Sequence, residues 1–206
     1  MGFIDKLMYK KYNDKDMIAI VDYKTGNPSI NLNNVLYGLD MQLPIYLYLA
    51  RNSNNFNNPI IVGFYLQKIL NSIVLKDYKN SYLDLKKDNL KLNGYSIDKI
   101  ELLEEFDNSY NKSSVIKAMS TTKSGEFSHY AKVISEEEID KLIEIISNNI
   151  DKATDDIINA KFDINPKVIG KENKGCNYCM FYDICYRSAK DLVKLKEVDD
   201  IFREVK

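Results

Sequence analysis

Tryptophan is absent from this 206-residue chain, histidine occurs once, at His129, and the three cysteines, Cys176, Cys179 and Cys185, fall in one short stretch. Three neighbouring thiols are not a disulfide framework; an odd cluster in a reducing compartment points to metal. An excess of charge of one sign is also missing, since 29 Lys and Arg stand against 30 Asp and Glu. Nothing global announces a polyanion partner, and a nucleic-acid groove would have to be a local patch. No apolar run is long enough to span a membrane, and the N-terminus carries no signal-peptide pattern. The expected location is the cytoplasm, with no membrane partner. No Walker-type phosphate loop occurs, so an ATPase would have to lie elsewhere. The abundance of Lys and Asn, like the lack of Trp, reads as nucleotide bias. The length fits one domain, or one domain with a helical appendage, and is ample for a buried core.

What is present is a pattern of carboxylates and a lysine on two strand-like runs. In Met17-Ile18-Ala19-Ile20-Val21-Asp22-Tyr23-Lys24, a period of two puts Ile18, Ile20, Asp22 and Lys24 on one face. Phe3, Asp5 and Leu7 share a face in the preceding run. The polar stretch Asn13-Asp14-Lys15-Asp16 has the composition that joins antiparallel neighbours, so a hairpin would bring Asp5 close to Asp22. Two carboxylates and an ammonium at one sheet edge are costly without a cation, and Mg²⁺ (or Mn²⁺) suits such oxygen ligands. That outlines a phosphodiester-hydrolysis site. By charge, Asp5 and Asp22 would ligate the metal, with the backbone carbonyl of Tyr23 as a third ligand. Lys24 would orient the attacking water and stabilise the transition state. The bland alternative is surface charges at strand ends. Gln42 and Tyr46 lie one helical turn apart and so share a face; the bland reading there is a half-buried tyrosine beside a solvated glutamine.

These residues carry a family resemblance. Gly2-Phe3-Ile4-Asp5, then Val21-Asp22-Tyr23-Lys24-Thr25-Gly26, then Gln42-x-x-x-Tyr46 resemble the RecB-like branch of the PD-(D/E)XK nucleases. Cys176-Asn177-Tyr178-Cys179 through Cys185 is similar to the C-terminal cluster of that branch's iron–sulfur members. The wording from Val35 to Tyr46 most resembles the nuclease end of AddB-type subunits of helicase–nucleases. The resemblance runs from Gly2 to about Arg187. It implies an α/β fold with a central mixed sheet flanked by helices, and the metal and lysine roles just given. It implies that Gln42 and Tyr46 contact DNA phosphate or order Lys24. It also implies a deoxyribonuclease acting on a single strand unwound by an AddA-type helicase partner during double-strand-break repair. A 4Fe–4S cluster needs four thiolates, and only three are present. The resemblance places a further cysteine and an upstream helix before Met1, so the chain is expected to be a C-terminal piece in which the cluster is incomplete. Zinc held with His129 and a metal-free cysteine group stay open. The alternatives in function are a free-standing RecB-like single-strand exonuclease and a DNA-binding or scaffolding module that no longer cuts.

Along the chain, residues 1–170 read as the nuclease core and 171–206 as the cysteine segment and a tail helix. A helix is predicted from after Asn33 to about Arg51, kinked at Pro44, and a buried strand from Pro59 to Lys68. Tyr82–Leu85 and Leu90–Leu92 look like short strands. Ser96 is expected to cap a helix reaching Leu103, and Phe127–Ile134 to be a strand. Ser135 with Glu138 makes a capping box for a long amphipathic helix whose face is Ile139, Leu142, Ile143, Ile146, Ile150 and Ile157. Lys161–Val168 is read as extended, and a last charged helix is expected from Asp191 to Val205.

Overall fold

The computed structural model describes residues 3–69, 78–173, 175–177 and 179–204. Lys6–Tyr12 (β1) and Lys15–Lys24 (β2) form the expected antiparallel hairpin, Tyr12 pairing with Lys15 and Lys6 with Val21. The connection is only Asn13-Asp14, and Asn13 takes the left-handed conformation (φ 53°) that such tight hairpin turns require. From Asp16 to Asp22 every residue of β2 is buried, not only one face. The strand is central, so its apolar run is covered on both sides.

Ile60–Lys68 (β3) lies parallel to β2, and Asn93–Ile97 (β4) pairs antiparallel with β3. Val133–Ile134 (β5) closes the five-stranded mixed sheet in the order β1-β2-β3-β4-β5. Helices flank both faces. Asp22 and Leu66, register partners on β2 and β3, line one pocket with Leu43 of helix Gln42–Arg51 (α1). Tyr65, pointing the opposite way, stacks on Phe106 of a helix behind the sheet, ring centroids 6.0 Å apart. The chain thus has the α/β fold, a central mixed sheet between helices, that its sequence implies.

Several elements differ from the sequence reading. Residues 32–51 are not one kinked helix: a 3-10 helix, Leu32–Tyr37, ends at Gly38 in the left-handed conformation, and Asp40 (φ 55°) turns the chain again before α1. Pro44 is the third residue of α1, where no intrahelical N–H bond exists to be lost, and it need not kink the helix. Tyr82–Asn89 (α2) is a helix, not a strand, because Ser81 accepts from the N–H of Asp84 and caps it. Ser96 lies inside β4, bonded to Tyr65, and the helix Ile100–Phe106 (α3) begins after Lys99. Only Val133–Ile134 of the expected Phe127–Ile134 strand forms one.

The capping box of Ser135 and Glu138 does start the long helix Glu136–Ile158 (α4). Its buried residues are Ile139, Leu142, Ile145 and Ile146, while Ile157 is exposed where the helix runs past the core. Lys167–Ile169 (β6), Glu172–Asn173 (β7) and Val193–Leu195 (β8) form a separate small sheet. The last helix is only Ile201–Glu204 (α5), and Val205 of the expected tail helix lies outside the described residues. Among the described residues no helix is long and apolar enough to cross a membrane.

Candidate functional site

Continuing the hairpin register one residue beyond Lys6 and Val21 sets Asp5 opposite Asp22. Asp5 sits in a bend just before β1, and its Oδ2 accepts from the backbone N–H of Tyr23 at 2.9 Å. That bond ties the two strands together at their open end. Asp22 is 1% exposed. The Lys24 ammonium makes an ion pair with Asp22 Oδ2 at 2.5 Å, and apart from it both buried Asp22 oxygens lack a hydrogen-bond partner.

Lys24 is held from its other side. Its Nζ donates to Gln42 Oε1 at 2.5 Å, and Gln42 Nε2 donates to Tyr46 Oη at 3.1 Å. The helical spacing of Gln42 and Tyr46 makes the second bond possible, and together the bonds fix which end of the amide faces the ammonium. Asp22, Lys24, Gln42 and Tyr46 are therefore one connected chain of polar groups, with Asp5 at its edge. Gln42 is the first residue of α1, so the positive end of that helix opens on the same pocket of about 240 Å³. Tyr23 itself turns its ring outward, 36% exposed, as period-two alternation requires.

Asp40 lines the same pocket and was not singled out by sequence, because the residues around it read as helix interior. Asn34 Nδ2 donates to its carboxylate and holds it at the pocket wall. The visible signal was Gly38, a residue that ends helices in the left-handed conformation.

The cysteines stand apart from this site. Cys176 and Cys185 are half-buried and Cys179 exposed, all as free thiols. Among the described residues no three His, Cys, Asp or Glu side chains are gathered to hold a metal, so neither the cysteines alone nor the cysteines with His129 form a ligand set as placed. Asp22 is different in kind. Asp5 lies opposite it when the hairpin register is continued, and both Asp22 oxygens are buried without a hydrogen bond, which suits a hard cation.

A mixed sheet that ends in an acidic pair and a lysine, beside a helix carrying Gln and Tyr, is the build of a nuclease core. The chain belongs to the PD-(D/E)XK nuclease superfamily, whose pattern matches residues 1–186. Among individual proteins it is similar to the B subunit of the ATP-dependent helicase/deoxyribonuclease of Thermoanaerobacter sp. (strain X514), 32% identical over 190 residues, covering 90% of this chain and 16% of that protein. The proteins of the same name from Clostridium acetobutylicum and Alkaliphilus oremlandii are 30% and 23% identical, over 89% and 98% of this chain and 16% and 19% of theirs. The chain thus spans less than a fifth of the length of these relatives.

Proposed function

We propose that this chain is the cutting part of a helicase–nuclease that processes double-strand DNA breaks, hydrolysing phosphodiesters of an unwound strand with Mg²⁺ or Mn²⁺. The observation that supports it is Asp22: a fully buried carboxylate with no hydrogen-bond partner apart from its ion pair with Lys24, a lysine anchored by Gln42 and Tyr46. Burying such a carboxylate is costly, Lys24 offsets part of that cost, and the Asp22 oxygens keep capacity to coordinate a metal ion. Asp5, Asp22 and the backbone carbonyl of Tyr23 would hold the ion. When bound, it supplies Lewis-acid stabilisation and a water acidic enough to attack at neutral pH.

The chain's own groups do the rest. Lys24, fixed between Asp22 and Gln42, orients the attacking water and offsets charge that gathers on the phosphate. Gln42 and Tyr46 position Lys24, so its ammonium does not need to be reordered at the moment of reaction. The positive end of α1 favours an anionic phosphate in the pocket. An iron–sulfur cluster on Cys176, Cys179 and Cys185 would need the thiols drawn together and a fourth ligand, and hydrolysis at Asp22 requires no electron transfer. The names of the relatives favour a partner subunit, of the AddA helicase type, that delivers the strand.

Cleavage of a labelled single strand by the full-length protein carrying this chain, with and without Mg²⁺, tests the reading. Asp22→Ala should lower cleavage by about 10³-fold or more, several kcal/mol of barrier. Lys24→Met should lower cleavage while calorimetry still finds the ion bound. Near-normal cleavage by Asp22→Ala rejects the assignment, and loss of metal affinity in Lys24→Met rejects the division of roles.

A further inference from the structure

The core-facing stripe of α4 continues beyond the core. Ile139, Leu142 and Ile146 are buried, and the same helical spacing carries on through Ile150 and Ala153 to Asp156. Between that stretch, the junction of the 3-10 helix with α1, and β6 lies a groove of about 350 Å³. Its size is within the roughly 300–1,000 Å³ of pockets that hold small ligands. Tyr37, Met41, Ile45 and Ile150 give it an apolar lining, and Lys152 and Lys167 stand in its wall. Met41 lines the Asp22 pocket as well, so the two cavities adjoin.

Hydrogen bonds fix the elements around the groove. Asn149 Nδ2 donates to the carbonyl of Val35 at 2.7 Å, which holds α4 against the 3-10 helix. Tyr37 Oη donates to the carbonyl of Lys196 at 2.9 Å. Gly38, at φ 71°, keeps the wall open, since a Cβ there would meet only the Asn149 amide, 3.7 Å away. Neither Lys152 nor Lys167 forms an ion pair among the described residues. Asp156, the carboxylate in the wall, lies 4.0 Å from Lys161. The bland account is a crevice at the edge of the core with solvated lysines beside it. It covers Met41 and Ile150, which pack on the core. It does not explain why unpaired ammonium groups from two separate elements, α4 and β6, line a cavity that shares a wall with the candidate metal site.

We propose that this groove seats a nucleotide of the strand being cut, its base against Tyr37, Met41 and Ile45 and its phosphate held by Lys152 and Lys167. This rests on the nuclease reading of Asp22. The shared wall at Met41 sets the seat next to the phosphate at Asp22, so the strand leads from that pocket toward α4. Aromatic contact accepts any base, because every base has a π-face. Ammonium groups hold phosphate as point charges and read no sequence. Binding in the groove is therefore tolerant of sequence and sensitive to salt.

Affinity of the full-length protein carrying this chain for fluorescent single-stranded oligonucleotides, measured in EDTA over a salt series, tests it. Lys152→Ala/Lys167→Ala should weaken binding several-fold. The slope of log affinity against log salt should become shallower by about 0.7 for each phosphate no longer neutralised. Ala153 is exposed on α4, and Ala153→Phe fills the groove without changing charge. It should lose more affinity for an ordinary strand than for one made of abasic sites. Melting curves matching wild type show that the variants fold. Unchanged affinity and salt slope in the lysine variant overturn the proposal even if wild type cuts DNA. Equal losses on ordinary and abasic strands in Ala153→Phe would take the base out of the groove and overturn it too. The expected losses in a protein that never cuts would retain the groove and sink the nuclease reading instead. Weakened capture of a helicase subunit with DNA affinity unchanged would make the groove a protein interface and overturn the DNA assignment.

Discussion

Two aspartates are buried on β2, at its two ends, each ion-paired with a lysine, but only Asp16 also receives hydrogen bonds. Lys11 Nζ donates to its Oδ2 at 2.9 Å and lies 2.7 Å from Oδ1, and the N–H of Asn57 donates to Oδ2 at 2.8 Å. Asp22 has the ion pair with Lys24 and no other polar partner. Asp16 pins the hairpin turn to the loop before β3 through Oδ2, whereas Asp22 has neither oxygen hydrogen-bonded. The hydrogen bonds from Lys11 and Asn57 hold the Asp16 carboxyl below its ordinary range. Its folded pKa is therefore lower than the unfolded value near about 3.9. The stabilisation is complete above that value and disappears as pH falls through the folded pKa. Asp16→Asn should melt at lower temperature than wild type at neutral pH, and the difference should shrink below about pH 4. Melting curves at stepped pH check this, and a difference that stays constant down to strong acid would contradict it. The sequence alone made Asp22, Lys24, Gln42 and Tyr46 legible, since periods of two and four place them before any contact is known. It hid Asp16, whose setting looks like ordinary turn composition, and Asp40, which reads as part of a helix.

At the scale of elements, legibility followed how far each segment's pattern is set locally. β2, β3 and α4 carry long apolar runs or a capping box, and these signals do not depend on distant partners. The split of residues 32–51 turns on left-handed residues, Gly38 and Asp40, whose conformation a hydrophobic stripe does not report. Tyr82-Leu83-Asp84-Leu85 alternates like a strand, yet none of α2's residues is buried and Ser81 caps it as a helix. β4 is short and amphipathic by neither period, and it becomes a strand through its partner. Gly94 shows how close that partner is: an added Cβ would stand 2.1 Å from the carbonyl oxygen of Phe64 and 2.7 Å from the Cα of Tyr65. Both are backbone atoms of β3 and cannot rotate away. Gly94→Ala should cost roughly 1–3 kcal/mol in chemical denaturation, as overpacking does. A change within about 0.5 kcal/mol, the range of neutral surface substitutions, would mean that β3 and β4 are spaced more widely than described.

Across the whole molecule, residues 196–201 return to the wall of the Asp22 pocket. The 3-10 helix Leu32–Tyr37 contributes Leu32 and Val35 to that wall. Its outer side holds the C-terminal segment: Asn33 Nδ2 donates to the carbonyls of Val198 at 2.7 Å and Asp199 at 3.2 Å, and Asn33 Oδ1 accepts from Ile201 N–H at 2.9 Å. Tyr37 Oη adds a bond to the carbonyl of Lys196. Ile201, 1% exposed, is thereby drawn into the main core, 168 residues along the chain from its acceptor. One side chain with three bonds thus joins the cysteine-bearing segment, carried between β7 and β8, to the element that shapes the candidate site. Each bond contributes about 1 kcal/mol net, and loss of the side chain leaves the Ile201 N–H and two carbonyls without it. Asn33→Ala should therefore speed amide exchange over residues 196–204 by roughly tenfold or more, about 1.4 kcal/mol of local opening. Exchange in β2 and β3, whose pairing does not involve the tail, should stay at the wild-type rate. Cleavage should fall in step with tail opening if the 3-10 helix needs the tail behind it to hold Leu32 and Val35 against Asp22. Unchanged exchange in the tail would show that Ile201 burial alone secures it, and uniform acceleration across the sheet would show that the tail and core open as one unit.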